Sequence, residues 1–304
     1  MRQLTIISFF LALTAWGCQK AFVVDGGEPA TLTYSVSTSV SFEVKSGDAA
    51  GSAAVPGGAS EINVLWYGVY HKKADGNYVY MSDMSAFVEV SDPKSIQVPI
   101  TLINGQEYEL VFVAQHRILS DADDHKYMYT ISDEAVMSRN TSAPVTSGEQ
   151  LDVFVYVDRV GPVVGSISKS ITLERPVAQV NLGTSAGPGA GSGSGLDSGS
   201  GSGSGSEGSG SADSGSIDVA FSNVPENYDI RSRTYTGTTS LSFEDLPIDG
   251  TPMTVDNTDY TRLTTLYILG GNKVDLTISY NDNIKIINNI TTAPNYKTNI
   301  IGKI

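Results

Sequence analysis

Leu32, Tyr34, Val36, Val40, Phe42 and Val44 share one parity, with Thr38 the single break, and the positions between them are Ser, Thr and Glu. Side chains alternate across a strand, so this stretch predicts one long strand, or a bent strand pair, with an apolar and a polar face. That is the pattern of a half-buried antiparallel strand. A loop of small residues, Ser46 to Ser60, follows. Apolar runs then recur at short spacing: Ile62 to Tyr70, Tyr78 to Met81, Phe87 to Val90, Ile96 to Leu102, Tyr108 to Ala114, Tyr127 to Ile131 and Val153 to Val157. Asp75-Gly76 and Asn104-Gly105 lie between such runs and tolerate the positive φ of hairpin turns. Helix is expected only as a short piece near Ser132 to Met137. About eight short strands with turn signals between them predict a β-sandwich over residues 32–160.

Residues 161–170 carry Gly161-Pro162 and Gly165 without a periodic pattern and are expected to form a joint. A second set of strands occupies 171–304: Ile171 to Leu182, Ile217 to Phe221, Ser240 to Phe243, Leu263 to Leu269, Val274 to Tyr280, Ile284 to Ile290 and Thr298 to Ile304. Gly270-Gly271-Asn272 and Asn281-Asp282-Asn283 have the composition of tight hairpin connections. The expected fold class is therefore all-β, two consecutive antiparallel β-sandwich domains. After the first strand of the second domain comes a 32-residue tract, 185–216, with 12 Gly and 12 Ser. Such a composition behaves as a flexible coil with an end-to-end distance of about 30 Å.

Charge narrows the function. Nineteen Lys and Arg against 33 Asp and Glu give a net charge of −14, spread along the chain. No basic face is available to neutralise phosphates, so nucleic acid is not an expected partner. One Cys, three His and two Trp leave little for a thiol enzyme, a disulfide scaffold or a zinc cluster. The single Cys is informative by position. Arg2 precedes a twelve-residue apolar run, Leu4 to Ala15, too short to span a bilayer comfortably, and the run ends Ala15-Trp16-Gly17-Cys18. Residues 1–17 read as a lipoprotein signal peptide, Cys18 as the acylated mature N-terminus, and 18–31 as a tether. Two or more acyl chains on one Cys turn marginal membrane binding into stable anchoring. The alternative is an ordinary export signal with an incidental Cys.

Candidate chemistry is sparse. Gly191-Ser192-Gly193-Ser194-Gly195 matches a nucleophile elbow in letters but lacks the strand-turn-helix context that gives the motif its mechanism. Asp121, Asp123, Asp124 and His125 offer oxygen ligands for a hard cation, yet without the Gly turn and distal Glu of a calcium loop they read as a solvated acidic turn. Glu61, Glu89 and Glu109 lie on or beside strands, and two carboxylates at the right separation would suffice for glycoside hydrolysis. His71 and His116 read as structural histidines. Fifteen Tyr, several alternating within strands as at Tyr78/Tyr80 and Tyr127/Tyr129, fit β-propensity and also offer surfaces on which sugars stack. No catalytic residue, metal site or cofactor is assigned.

Four segments resemble the fimbrillin-related lipoproteins that build type V pili: Val64-Leu65-Trp66-Tyr67-Gly68-Val69-Tyr70 with Asp75-Gly76; Leu102-Ile103-Asn104-Gly105-Gln106 leading to Tyr108 and Phe112-Val113-Ala114-Gln115; Arg175-Pro176-Val177-Ala178-Gln179-Val180-Asn181-Leu182-Gly183-Thr184; and Asn295-Tyr296-Lys297-Thr298-Asn299-Ile300-Ile301-Gly302. The last two are the specific ones, and they bracket the second domain. The resemblance implies two transthyretin-like β-sandwiches, export to the outer membrane as a lipoprotein, and a structural or adhesive role without catalysis. It also implies assembly with like pilus subunits. In polymerising relatives an Arg-directed protease cuts behind the first strand, and the vacated groove takes a strand from the next subunit, a head-to-tail contact that grows a filament.

Two departures bear on that role. No Arg occurs between Cys18 and Arg117, so the nearest basic residue behind the first strand is Lys45, the candidate processing site. The Ile-rich C-terminus, a candidate donor strand, ends at Gly302-Lys303-Ile304, shorter than the ending the resemblance leads one to expect. The leading expectation is a cell-surface fimbrial subunit assembling by strand exchange. The runner-up is a retained outer-membrane lipoprotein that anchors a pilus or binds a host or dietary glycan.

Overall fold

The computed structural model describes residues 27–38, 59–118, 126–185, 215–280 and 283–302. Strands dominate: β1 Pro29–Thr38, β2 Val64–Lys72, β3 Tyr78–Tyr80, β4 Ala86–Glu89, β5 Ile96–Ile103, β6 Tyr108–Gln115, β7 Arg117–Ile118, β8 Lys126–Tyr127, β9 Tyr129–Ile131, β10 Val136–Arg139, β11 Val153–Val160 and β12 Ile167–Leu173. After them come β13 Val177–Ser185, β14 Ser216–Val224, β15 Asn227–Asp229, β16 Thr234–Thr236, β17 Thr239–Pro247, β18 Pro252–Val255, β19 Thr258–Leu269, β20 Lys273–Tyr280, β21 Asn283–Thr291 and β22 Lys297–Gly302. Among the described residues helix is confined to two 3₁₀ turns, Ser82–Met84 and Gly148–Leu151.

The strands build two sandwiches. In the first, a sheet ordered β12-β1-β5 faces one ordered β11-β6-β2-β3, with β4 also on β2. Leu32, Tyr34 and Val36 meet Leu65, Leu110 and Phe112 between them. In the second, a sheet ordered β18-β19-β13-β22 faces one ordered β17-β14-β20-β21 around Val180, Phe221, Leu266 and Leu276. The two repeat one plan. The first strand of each lies between the last strand, parallel to it, and a middle strand, antiparallel to it: β1 between β12 and β5, β13 between β22 and β19.

The sandwiches share a core. Along β2 and β6, one parity (Leu65, Tyr67, Leu110, Phe112) packs into the first sandwich. The other parity (Trp66, Tyr70, Val111, Val113) joins the cluster that continues into the second. Both strands are buried on both faces, which is why they read as continuous apolar runs rather than alternating ones. A small sheet ordered β16-β15-β10-β9 crosses the seam, with Met137 of β10 opposite Tyr228 of β15.

At the seam Arg175 is fully buried. Its Nε and Nη2 donate to the carboxylate of Asp152 at 2.8 and 2.9 Å, and its guanidinium lies 4.5 Å from the centroid of the Phe154 ring. Beside it, Gly148 packs so closely on β19 that a Cβ there would sit 1.5 Å from the Thr265 carbonyl oxygen. The next residue, Glu149, accepts a hydrogen bond from the Tyr267 hydroxyl at 3.0 Å. Burial pushes the Glu149 carboxyl up to about 7 and that of Asp152 up to about 6, the latter against the opposing pull of Arg175.

Several sequence expectations hold in detail. Up to Thr38 strand β1 alternates as read, with Ala30, Leu32, Tyr34 and Val36 buried and Thr38 on the same buried face, while Val40, Phe42 and Val44 lie outside the described residues. Gly76 and Gly105 adopt φ of +86° and +78° in their hairpin turns. Two expectations fail. Ser132 to Met137 is not helical: the Ser132 hydroxyl accepts from the Glu134 and Val136 amides, Ala135 takes φ +63°, and the chain turns back into β10. The expected single strand Ile171 to Leu182 is two strands, broken where Arg175 turns inward and Pro176 lacks an amide hydrogen. Its first half belongs to β12, which begins at Ile167 inside the expected joint 161–170 and pairs with β1 of the first sandwich.

The raised carboxyls fix a sign. The folded chain holds the Glu149 proton more tightly than the unfolded chain, so this contribution is fully present below the unfolded carboxyl pKa and is lost as pH rises through about 7. Glu149→Gln is expected to be the more stable protein at pH 8, by about 1–3 kcal/mol, with the gap to wild type closing toward pH 4. Urea unfolding of both proteins across that range measures it.

Candidate functional site

Strand β1 occupies the interior of its sheet. It runs antiparallel to β5, with Leu32 opposite Ile100, Tyr34 opposite Val98 and Val36 opposite Ile96. On its other edge it runs parallel to β12, from Leu32 opposite Ile167 to Thr38 opposite Leu173. Both edges of β1 are therefore hydrogen-bonded, and the two partners come from parts of the chain far apart in sequence. Beneath it, the Tyr34 ring packs 5.0 Å from that of Phe112, and its hydroxyl donates to Asp158 Oδ2 at 2.6 Å. Lys169 of β12 holds the same carboxylate oxygen at 2.7 Å. Burial, then the bond to Asp158, pushes the Tyr34 phenol well above its ordinary range.

Energies follow from this placement. Leu32, Tyr34 and Val36 are essentially inaccessible, and each such side chain contributes about 1.5–3 kcal/mol on burial. Removing β1 would strip that contribution and leave the facing backbone edges of β5 and β12 without partners, the kind of exposed template that takes up another strand. The cradle is thus a slot for one extended segment with small or apolar residues at alternate positions. In chain order β1 is the first described strand, and residues 39–63 separate it from β2.

Lys45, the candidate processing site, lies in that segment, outside the described residues, as does the candidate lipid attachment residue Cys18. The acidic group Asp121, Asp123, Asp124 and His125 and the Gly191 to Gly195 motif also lie outside them. The three glutamates considered as a carboxylate pair are not brought together. Glu89 pairs with Arg117, Glu61 lies beside His116, and Glu109, fully buried, bridges Arg159 and Arg231. His71 Nε2 pairs with Gln106 Oε1 at 2.9 Å, and His116 Nδ1 with the Glu61 carbonyl at 2.7 Å, as structural histidines do.

The two segments carrying the specific resemblance become neighbours. Strands β13 and β22 pair in parallel, Gln179 opposite Lys297 and Asn181 opposite Asn299. Asn181 donates to Asn299 at 2.9 Å and accepts from Thr265 at 2.9 Å, a polar ladder across three strands. Strand β22, the candidate donor, is the edge of its sheet, half-exposed along its length and engaged by β13.

The sequence model of a family of unknown function, DUF6562, matches residues 29–303. That match begins at the first residue of β1. Among solved structures, the chain is similar to a candidate polysaccharide-binding protein (DUF1812) of Bacteroides thetaiotaomicron, at 12% identity over 90% of each chain and a TM-score of 0.47. It is also similar to the fimbrial anchor protein Mfa2 of Porphyromonas gingivalis, at 14% identity over 83% of this chain and 78% of that one, TM-score 0.41. A fimbrial assembly protein of Parabacteroides distasonis shares 10% identity over 91% and 92% of the two chains, TM-score 0.38. No curated protein matches the sequence.

Leu32→Ala is expected to lower the unfolding free energy by about 2–5 kcal/mol, the cost of a cavity under an interior strand. Ser35→Ala, on the exposed face of the same strand, is expected to change it by less than about 0.5 kcal/mol. Urea midpoints of the two variants separate the faces.

Proposed function

The chain belongs to this family of unknown function, DUF6562, and from that premise we propose that it is a cell-surface lipoprotein acting as a structural or adhesive fimbrial subunit, assembling with like subunits by β-strand exchange. One observation carries the reading. The first described strand fills an interior slot, bonded on both edges and apolar on alternate residues, and a 25-residue segment, 39–63, separates it from the next strand. A slot of this kind cannot stay empty, because open edges and vacated pockets invite main-chain pairing and apolar docking together. A strand from another copy completes it, and because donor and slot are different surfaces the contact is heterologous and extends.

Cys18 would carry the lipid that delivers the chain to the outer membrane, and cleavage after Lys45 would release lipid and β1 together. The motifs Arg175 to Thr184 and Asn295 to Gly302, which carry the resemblance, support the same reading. The role is one of assembly and adhesion rather than catalysis, and it needs no cofactor.

A second reading is favoured by the basic residues. With no Arg between Cys18 and Arg117, an Arg-directed protease leaves β1 and the lipid in place. The protein would then stay as a retained surface lipoprotein that anchors a pilus or binds glycan.

A site-specific protease sequence inserted after Lys45 separates the slot from its strand on demand. On cleavage, the protein is expected to exchange β1 for a fluorescent Pro29–Thr38 peptide and to form SDS-resistant oligomers, while uncut protein does neither. A cut protein that stays monomeric and takes up no peptide contradicts strand exchange.

A further inference from the structure

A second surface, built from none of the residues of β1, β5 or β12, has the chemistry of a ligand site. Tyr78 and Tyr80 project from the same face of β3 toward the turn Asp133-Glu134 and toward Arg231, which follows β15. With Ser82 they line an open groove of about 480 Å³, within the usual size of small-molecule clefts. Three stretches far apart in sequence converge there. Under the groove lies Tyr70, 1% exposed, its ring 5.4 Å from that of Tyr80 and 5.0 Å from the Arg231 guanidinium. The Tyr70 hydroxyl is buried and has no hydrogen-bond partner.

The groove offers aromatic faces, hydroxyl and guanidinium donors, and carboxylate acceptors side by side. A polyol uses all three: its C–H faces lie on tyrosine rings and its hydroxyls both give and accept. A cationic peptide would use only the carboxylates. Asp133 and Glu134 are exposed, where ion pairs contribute little, and Arg231 already stands 5.6 Å from the Tyr78 ring in the place a ligand cation would take. Anionic sugars are disfavoured in turn, since Glu109 engages Arg231 from below.

We propose that this groove binds neutral oligosaccharide, with Tyr78 and Tyr80 as the stacking surface and Asp133, Glu134 and Arg231 as the hydroxyl-binding groups. The site is independent of strand exchange, and a subunit built into a filament or one retained on its lipid presents it equally.

Isothermal titration of the full-length protein, held in a sugar-free zwitterionic detergent, against maltotetraose, mannotetraose, chitotetraose and tetralysine tests the assignment. At least one neutral tetrasaccharide is expected to bind. Tyr80→Ala and Asp133→Asn are each expected to weaken it by about tenfold, and Tyr80→Phe, which keeps the ring, to retain most of the affinity. Thermal unfolding checks that each variant is folded, and the exposed Asp133→Asn decides the matter if Tyr80→Ala is not. Heat from tetralysine alone, no heat from any saccharide, or saccharide binding unchanged in Asp133→Asn overturns it.

Discussion

The fold depends on one strand placed where a sheet can least spare it. Strand β1 is bonded to β5 on one edge and β12 on the other and presents Ala30, Leu32, Tyr34, Val36 and Thr38 inward. Without it, two strands brought together from positions far apart in the sequence lose their common neighbour and the first core loses its lid. The second sandwich repeats the arrangement, with β13 between β22 and β19, but β13 stands mid-chain, between β12 and β14. The central strand of the first copy is the first described strand in chain order, whereas that of the second follows twelve others. That difference in connectivity, rather than any difference in packing, is why exchange is proposed for β1 and not for β13.

The seam between the sandwiches makes the pair one unit. Strands β2 and β6 serve two cores with their two faces, and the sheet through β10 and β15 binds the halves by main-chain pairing. Arg175 and Asp152 lie at the centre of the seam, where desolvation of both charges offsets much of their attraction and removal of either would leave the other buried alone. The pair's net effect on stability is therefore small, and it holds the Arg175 side chain in place at the seam. Its position next to Pro176 ties that placement to the residue that ends β12 and lets β13 start a new sheet.

Much of this was legible in the sequence, for definite reasons. Alternation is a local signal, so β1, β5 and the hairpins at Gly76 and Gly105 could be read directly. Strand β12 could not, because four of its first five residues are exposed or half-exposed Ser, Lys and Ile that resemble loop, and only its pairing with β1 makes it a strand. The turn at Ser132 depends on one hydroxyl competing for two amides, below the reach of periodicity. Glu109 was visible as a strand residue, but its partners stand 50 and 122 positions away. The Tyr78/Tyr80 alternation was equally plain, and its meaning came only from the turn and the arginine that fold against it.

The proposed function turns on whether β1 leaves. The most direct measurement is the N-terminus of the native, envelope-associated protein, by intact mass and N-terminal peptide mapping. A mature chain beginning at Ser46 is the predicted result, with lipid and first strand shed and the slot open to another copy. A chain beginning at acylated Cys18 in assembled protein would contradict exchange and leave a tethered surface lipoprotein with its first sandwich permanently closed.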